Sequence, residues 1–482
     1  MSGPHGVVLG VGGYAPRFRL PAAAVEDALG AFHARGVESV AVPDADEDSL
    51  TMAAAAAERA LAAAGTTVEA VEALFLAATT LPYEEEAAPA RLASMLGVSE
   101  TARTAQFGGS TAAGGEALNA ALDADGVALV VAADAPRGAT DEAVGQAAGA
   151  GAGALVVAPE AADADRVGEV TELASFTAAY PGTRFRERGS EETTGLGVTA
   201  YDRQAYRETV AGAVDALGGP GEPDAAALQA PDGDLPFRAG RAIGVNADAV
   251  SAGTVAADVG DAGAASVFLG LASALDDGSE ETLLVPYGSG GVAHAFRIRA
   301  DCRVPVRQTV GGDRTLGFAG AQRRRGAFDS GVPAGGGAYV SVPSYRRTLP
   351  QRHRLVAGRC EACGSLAFPP EGACAHCSAR DGYEHVALSG TGTVEAVTTI
   401  SQGGAPPEFV PQQARAGEYA SAIVAFQGPD GGAASVPVQV VLADGDAPKI
   451  GDEVVAVKRV LYDQEGVRRY GVKVVPVDAR RP

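Results

Sequence analysis

CEACGSLAFPPEGACAHC, residues 360–377, is the stretch of the chain that specifies its own fold most firmly. It holds two C-x-x-C knuckles, and each knuckle turns tightly enough to point two thiolates at one ion. The four thiolates together form the ligand set of a closed, tetrahedral zinc site, and they come from Cys360, Cys363, Cys374 and Cys377. A filled coordination sphere predicts structural zinc, which supplies folding energy that so short a segment lacks.

The alternative for this segment is four free cysteines that share the spacing by coincidence, or a labile disulfide pair. Clustered cysteines in a chain that is otherwise poor in cysteine favour the metal. His376 lies between two ligands and is interpreted as a spacer. The fifth cysteine, Cys302, stands alone and is interpreted as a buried structural residue.

Bulk properties set the class of protein. The chain has 482 residues, of which 46% are hydrophobic and 20% charged, which is typical of a globular protein with two to four domains. No apolar run approaches the ~20 residues of a membrane helix. The first residues, MSGPHGVVLG, lack a basic stretch followed by an apolar one, so we expect a cytoplasmic protein without a membrane partner.

The net charge of −22 indicates an unusually acidic surface. A hydrated acidic shell, as in proteins of halophilic organisms, explains it best, because salt screens such self-repulsion. An acidic docking surface is the alternative. Either interpretation makes nucleic acid an unfavourable partner, because phosphate binding needs basic patches.

Outward from the ribbon, the N-terminal two thirds of the chain alternates strands with helices. Near-continuous apolar strands at 6–10, 71–78, 126–134 and 151–159 are separated by helical patterns, among them 49–65. This pattern predicts a mostly parallel sheet covered by helices. The theme repeats from a helix at 200–219 onward, which indicates a duplicated α/β architecture of two successive halves.

The composition and the pattern of hydrophobic residues change after residue 300. Residues 308–340 are rich in Gly and Arg and read as loop or linker. Beyond the ribbon, five short β-rich runs fit a small all-β Greek-key barrel of the OB-fold type. The predicted strands are 390–400, 419–428, 436–444, 452–463 and 470–477. The predicted domains are the first half at 1–165, the second half with the linker at 166–344, the zinc ribbon at 345–385 and the OB-fold at 386–482.

The segment GGSTAAG, residues 108–114, leads into an apolar helix. It places Ser110 at or near the helix N-terminus, where the helix dipole favours negative charge. This position suits a nucleophile of an α/β enzyme, and it equally suits an N-cap serine. Without further context the cap is the simpler interpretation.

Several segments of the chain, in this order, resemble archaeal hydroxymethylglutaryl-CoA synthases, which belong to the thiolase-like condensing superfamily. The segments are GGYAPRFRL (12–20), VPDADEDSLTMAAAAAERAL (42–61), GGSTAAG (108–114), ALQAPDG (227–233) and VPYGSGGVAHAF (285–296). Residues 345–482 resemble the acyl-CoA-associated zinc-ribbon/OB-fold proteins, with SYRRTLPQRHRLVAGRCEACGSLAFPP as the lead-in. The resemblance implies a thiolase-like duplicated fold fused to a module that normally accompanies such enzymes as a separate subunit.

The resemblance also implies which positions carry the chemistry. The family uses a cysteine nucleophile, a histidine that helps to bind the second acyl-CoA and a glutamate acid/base. In this chain those positions hold Ser110, Gln229 and Thr79, and a glycine-flanked asparagine of the family is replaced by Asp261. The acidic run 84–86 begins a few residues after Thr79. A serine hydroxyl is harder to ionise than a thiol and needs an adjacent base, which neither Gln229 nor Thr79 provides.

Three functions follow as alternatives. The first is a hydroxymethylglutaryl-CoA synthase-like condensing protein with a degenerate catalytic triad. The second is a non-catalytic scaffold that binds acyl-CoA thioesters for a partner thiolase. The third is a retro-aldolase on a 3-hydroxyacyl-CoA, with Asp261 or one of Glu84, Glu85 and Glu86 as the proton acceptor. The resemblance implies a CoA thioester as substrate or ligand and a homodimer; His294 is interpreted as a satisfied or exposed histidine.

Overall fold

The computed structural model describes residues 5–159, 168–300, 303–329, 339–401, 403–441 and 447–477. Cys302, predicted to be a buried structural cysteine, lies outside these ranges. The chain divides into two compact units: residues 1–44, 48–93 and 98–321 form the first, and residues 45–47, 94–97 and 322–482 form the second. Within the described ranges, no helix is both long and apolar enough to cross a bilayer.

The strands up to residue 315 are β1 (Gly6–Tyr14), β2 (Phe18–Pro21), β3 (Ser39–Val42), β4 (Ala73–Ala77), β5 (Arg103–Phe107), β6 (Ala128–Asp134), β7 (Gly151–Ala158), β8 (Gly168–Tyr180), β9 (Ala225–Leu228), β10 (Glu281–Val285), β11 (Tyr287–Gly288), β12 (Gly290–Arg299), β13 (Val306–Thr309) and β14 (Arg314–Thr315). The helices up to residue 324 are α1 (Ala22–Leu29), α2 (Ser49–Ala64), α3 (Ala88–Leu96), α4 (Ala113–Leu122), α5 (Ala143–Ala147), α6 (Thr199–Ala216), α7 (Leu235–Ile243), α8 (Ala247–Ala252), α9 (Ala256–Val259), α10 (Ser266–Asp276) and α11 (Phe318–Arg324).

One large sheet organises the first unit, and its strand order confirms the duplication. The path runs β5-β4-β6-β7-β1 through the first half and continues β8-β12-β10-β9 through the second. Apart from the extra parallel edge strand β5, the two halves match: β4 and β6 pair in parallel as β9 and β10 do, and the next two pairings inward are antiparallel in both halves. The sheet is therefore mixed, and the predicted mostly parallel sheet is wrong in this respect.

Two helices at the centre of the first unit show why the sequence folds in this way. Helix α10 is apolar on every side, and its residues are buried almost throughout, as expected of a helix enclosed by other layers. Helix α4 is also largely buried. A β-carbon at Gly114 would lie 2.9 Å from the carbonyl oxygen of Ala264, so glycine lets the start of α4 approach the turn that precedes α10.

Helix α2 is delimited as its sequence indicates. The Asp48 carboxylate accepts hydrogen bonds from the backbone N–H groups of Leu50 and Thr51, and the Thr51 hydroxyl accepts one from the Asp48 N–H. This capping box begins the helix, and Gly65 ends it in the left-handed conformation. The predicted helix at 49–65 is thereby confirmed.

The predicted loop or linker at 308–340 is partly structured. Strand β13 pairs in parallel with β1 inside the large sheet, β14 pairs with β2, and α11 follows. The register of β13 against β1 pairs Val11 with Val306. These residues are far apart in the sequence, so local composition does not reveal the pairing.

The second unit contains the predicted ribbon and barrel. Its helices are α12 (Val342–Arg347), α13 (Leu349–Arg354) and α14 (Val410–Ala416), and its strands are β15 (Val356–Cys360), β16 (Leu366–Ala367), β17 (Tyr383–Ala387), β18 (Thr391–Ile400), β19 (Tyr419–Gln427), β20 (Ala433–Val440), β21 (Glu453–Gln464) and β22 (Val467–Pro476). Strands β15 to β17 form the ribbon sheet, and the last five strands close into a barrel in the order β18-β19-β20-β22-β21. Leu355 and Ala357 of the ribbon belong to the same apolar core as Val394, Val424 and other barrel residues.

A buried histidine in this unit predicts a pH dependence of stability. Burial, followed by the charges of Lys458, Arg354 and Arg352, lowers the pKa of His353 to about 4, while a hydrogen bond with Ser94 acts in the opposite direction. Above pH ~6.5 the histidine is neutral in both states. Between ~6.5 and about 4 only the unfolded chain takes up the proton, so the free energy of unfolding falls as the pH falls.

We expect His353 to account for a loss of about 2 kcal/mol between pH 7 and pH 5. The measurement is denaturant unfolding of the full chain across this range at constant ionic strength, compared with His353→Gln. Taking the difference between the two proteins removes the pH dependence that comes from the carboxylates, because both proteins contain the same ones. Parallel pH profiles for the two chains would contradict the prediction.

Candidate functional site

Ser110 lies at the entrance to α4 but does not cap it. The N-cap position is Ala112, without a side-chain cap, and Ser110 contributes only its carbonyl, 3.2 Å from the N–H of Ala113. The N-cap interpretation is therefore wrong. The hydroxyl faces Gly288, where a β-carbon would overlap it, and among the described residues no side chain hydrogen-bonds to it. The neighbouring Thr111 hydroxyl donates to the Tyr287 carbonyl at 2.7 Å.

Thr79 is hydrogen-bonded to the buried carboxylate of Asp134, a residue that the sequence did not single out. Asp134 ends β6 and is fully buried. Its Oδ1 accepts the Thr79 N–H at 2.7 Å, the Thr80 N–H at 2.8 Å and the Thr80 hydroxyl at 2.7 Å. Its Oδ2 accepts the Thr79 hydroxyl at 3.0 Å and the Ala264 N–H at 2.8 Å.

These five donors favour the ionised form of Asp134, whereas burial, the larger effect, raises the pKa of this carboxyl. Both oxygens are occupied, so Asp134 holds the Thr79–Thr80 segment in place and does not face the site as a base. The signal in the sequence was a carboxylate at the carboxyl end of a buried strand, which is where ligand sites of α/β sheets gather.

Gln229 follows β9 and is buried. Its Nε2 donates to the carbonyl of Gly263 at 2.8 Å, and its Oε1 has no hydrogen-bond partner among the described residues. The hydroxyl of the buried Tyr206 donates to the backbone carbonyl of Gln229. The side chain at this position is thus an amide anchored to the backbone.

Asp261 begins the turn before α10 and is 2% exposed. Its Oδ1 accepts the Gly263 N–H at 2.9 Å, and its Oδ2 forms an ion pair with the Arg184 guanidinium. Both oxygens of this carboxylate are therefore engaged, one by a backbone N–H and the other by a guanidinium. This arrangement weighs against the predicted role of Asp261 as a base.

The turn 261–264 connects three of the four family positions. Asp261 lies in it, Gln229 binds its Gly263 carbonyl, and Thr79 reaches its Ala264 N–H through Asp134. Ser110 lies outside this hydrogen-bonded network, at the start of the helix that Gly114 brings against Ala264. The structure therefore unites Thr79, Gln229 and Asp261 through the turn, and Ser110 takes no part in these hydrogen bonds.

The acidic run 84–86 is exposed. A Glu84 carboxylate oxygen accepts the Gly189 N–H at 2.9 Å, and Glu86 pairs with Arg91 at 2.8 Å. These contacts place two of its three carboxylates in surface interactions.

His294 on β12 is buried, so of the two predicted alternatives, a satisfied or an exposed histidine, the exposed one is wrong. Its Nδ1 lies 2.8 Å from the Ser175 hydroxyl, and its Nε2 has no partner in the described part of the chain. Burial lowers the pKa of His294. A β-carbon at Gly115 would lie 3.0 Å from the imidazole, which places this ring beside α4.

The four ribbon cysteines converge. Their sulfur atoms all lie within 4.8 Å of one another, with Cys360 and Cys377 at 3.7 Å and Cys363 and Cys374 also at 3.7 Å. Four sulfurs held about 2.3 Å from one zinc ion at tetrahedral angles are about 3.8 Å apart. The separations fit a Zn²⁺ ion and are far too long for disulfides, so these residues would hold structural zinc.

The two knuckles repeat one backbone design. In the first, the Gly364 N–H donates to the Cys360 carbonyl at 2.8 Å and the Cys360 N–H to the Ser365 carbonyl at 2.9 Å. In the second, the Ser378 N–H donates to the Cys374 carbonyl at 2.8 Å and the Cys374 N–H donates to the Ala379 carbonyl at 2.9 Å. Gly364 and Ser378 both have positive φ, which lets each knuckle close.

Sequence comparison connects the first unit to hydroxymethylglutaryl-CoA synthases. The chain is 28% identical to the enzyme of Archaeoglobus fulgidus over 308 residues, covering 61% of this chain and 88% of that protein. It is also 28% identical to the enzyme of Aeropyrum pernix over 305 residues, covering 60% and 83%. Residues 347–383 match the family described as ChsH2, rubredoxin-like zinc ribbon domain.

Solved structures agree on the fold. MvaS in complex with 3-hydroxy-3-methylglutaryl coenzyme A superimposes with a TM-score of 0.57 at 19% identity, covering 71% of this chain and 94% of that one. 3-Oxoacyl-(acyl carrier protein) synthase III of Pseudomonas aeruginosa gives 0.54 at 22% identity, covering 62% and 99%. The chain is therefore a fusion of a hydroxymethylglutaryl-CoA synthase-like domain of the thiolase fold with a ChsH2-type zinc ribbon and a closed five-stranded barrel.

Proposed function

We propose that the thiolase-like unit binds acyl-CoA thioesters without forming an acyl-enzyme at Ser110. The observation that carries this proposal is that the two family positions for an acid/base and a histidine hold Thr79 and Gln229, whose side chains are bound to Asp134 and Gly263. A serine nucleophile needs a neighbouring group that takes its proton. Thr79 donates its hydroxyl to Asp134, and Gln229 is an amide that donates to Gly263.

Binding of a CoA thioester is inferred from similarity. The relatives in Archaeoglobus and Aeropyrum are named as synthases of a CoA thioester, and MvaS was solved with one. A cysteine-to-serine variant of Xanthomonas campestris OleA, with a TM-score of 0.52 at 19% identity, was solved with lauric acid and lauroyl-CoA. That protein shows that a cysteine-to-serine change in this fold is compatible with a bound acyl-CoA.

Two measurements on the full chain test the proposal. Incubation with acetyl-CoA or acetoacetyl-CoA is expected to leave the intact mass unchanged, because neither Thr79 nor Gln229 can take the proton of the Ser110 hydroxyl. The same thioesters are expected to raise the melting temperature, since saturation at about 100 times the Kd stabilises a protein by about 2.7 kcal/mol. The matched control is the triple variant Thr79→Glu, Ser110→Cys, Gln229→His, which restores the family residues and should gain acyl mass.

An acyl adduct on Ser110 of the unmodified chain would contradict the proposal and indicate a working condensing enzyme. An unchanged melting temperature with every thioester would remove the binding function. Release of a ketone or aldehyde from a branched 3-hydroxyacyl-CoA would instead identify a retro-aldolase.

A further inference from the structure

Residues 182–197, called the strap below, connect β8 to α6 within the first unit. The strap folds back on itself, with Phe185 and Thr194 exchanging backbone hydrogen bonds of 2.8 Å. One short stretch of it, residues 183–189, contacts the surroundings of three candidate positions.

These contacts are polar and follow one another along the chain. The Thr183 side chain forms a hydrogen bond with the hydroxyl of Tyr287. Tyr287 precedes Gly288, the glycine that faces Ser110. Arg184 forms the ion pair with Asp261, and Arg186 donates to the backbone carbonyl of Thr79. The strap therefore lies against the site at several of the positions where the family places its chemistry.

Apolar packing contributes little to holding the strap. Of residues 182–197 only Thr193 is buried, while Phe185 is 38% and Leu196 63% exposed. A segment with few buried apolar contacts opens at a small free-energy cost. Its closed position then depends on the polar contacts, and the Arg184–Asp261 ion pair is far more buried than the Arg137–Glu191 pair, with side-chain exposures of 16% and 2% against 43% and 79%.

The two ends of the strap are glycines in the left-handed conformation. Gly182 has φ +83° and Gly197 has φ +68°. Residues at such positions absorb large changes in backbone angles when a loop swings.

We propose that the strap is a gate over the candidate site and that the Arg184–Asp261 ion pair is its latch. Breaking the pair lets residues 183–189 leave Asp261 and Thr79, which opens the site between the two glycine ends. What passes the gate rests on the proposed function, under which it is an acyl-CoA thioester; the latch itself does not depend on it.

Native-state proteolysis without ligand tests the latch. The strap carries its own trypsin sites at Arg184, Arg186 and Arg188. Asp261→Asn keeps an oxygen for the Gly263 N–H but turns an amide toward the guanidinium and removes the charge. We expect trypsin to cut the folded variant after Arg186 and Arg188 at least about ten-fold faster than the wild type, because cleavage follows the population of the open form.

The matched control is Glu191→Gln, which removes an exposed ion pair of the same strap with Arg137. It is expected to change the cleavage rate less than two-fold, as is usual for exposed pairs. Arg184→Gln breaks the same ion pair from its other side. If Asp261→Asn fails to fold, Arg184→Gln is expected to show the faster cleavage in its place. Equal cleavage rates in wild type and latch variants, or cuts spread over the whole chain, would overturn the proposal.

A second arm uses acetoacetyl-CoA as the probe and measures its association with the immobilised full chain. A closed gate lowers the fraction of competent molecules, so Asp261→Asn should bind the probe about ten-fold faster than the wild type. No binding to any variant, together with faster cleavage of Asp261→Asn, would reject the proposed function and leave the latch standing. Binding at the same rate to both chains would reject the gate and leave the proposed function standing.

Discussion

Replacing Cys360 by serine is expected to abolish zinc retention and to unfold the ribbon. Strand β15 ends at this cysteine, and the ribbon sheet beside it has only two further short strands. Structural zinc supplies roughly 10–16 kcal/mol of apparent binding free energy in small zinc domains, far more than so small a sheet obtains from its own packing. Because Leu355 and Ala357 lie in the core shared with the barrel, we expect the barrel to melt at a lower temperature as well.

The measurement is zinc per chain by elemental analysis, together with thermal unfolding of the full chain. His376→Ala is the matched control: this exposed residue lies between two ligands and outside the sulfur cluster, so the variant should retain one equivalent of zinc. A Cys360→Ser chain with a full equivalent of zinc and an unchanged melting profile would contradict the structural role.

Local signals explain which parts of the fold were predictable. The ribbon depends on cysteines close in sequence, and α2 carries its capping residue, its apolar body and its terminal glycine within residues 48–65. The barrel strands follow the same rule, because each has its own β-rich run between turns. Such features are decided by neighbours along the chain and need no knowledge of the rest.

Strand direction and the site network were less accessible because both depend on distant residues. Strands β6 and β7 are buried on both faces, as parallel strands usually are, yet they pair antiparallel. Strand β13 has little apolar character and is fixed by pairing with β1. The Asp134 cluster joins β6 to Thr79 and to Ala264, a conjunction that no local pattern announces.

Asp134→Ala is expected to destabilise the first unit by at least about 4 kcal/mol, because it leaves several buried donors unpaired at once. Asp134→Asn should cost about 2 kcal/mol. The oxygen of the new asparagine can still accept the three hydrogen bonds made to Oδ1. Its amide group faces the Thr79 hydroxyl, which can turn to accept a hydrogen bond, and the Ala264 N–H, which can only donate. Denaturant unfolding of the full chain measures both variants. Equal losses for the two variants would show that the donors that asparagine still satisfies contribute nothing to the difference, which is the opposite of the expected result.

The same substitutions separate stability from the integrity of the site. Asp134 is the link through which Thr79 is held to the turn 261–264, so Asp134→Asn should weaken the proposed binding of CoA thioesters even at temperatures where the chain remains fully folded. Thr80→Val is the matched control, because it deletes a hydroxyl that donates to Asp134 and accepts the Ala135 N–H, and leaves the Thr79 and Ala264 contacts in place. If Thr80→Val reduced binding as much as Asp134→Asn at equal folded fraction, the connection between Thr79 and the turn would not be what organises the site.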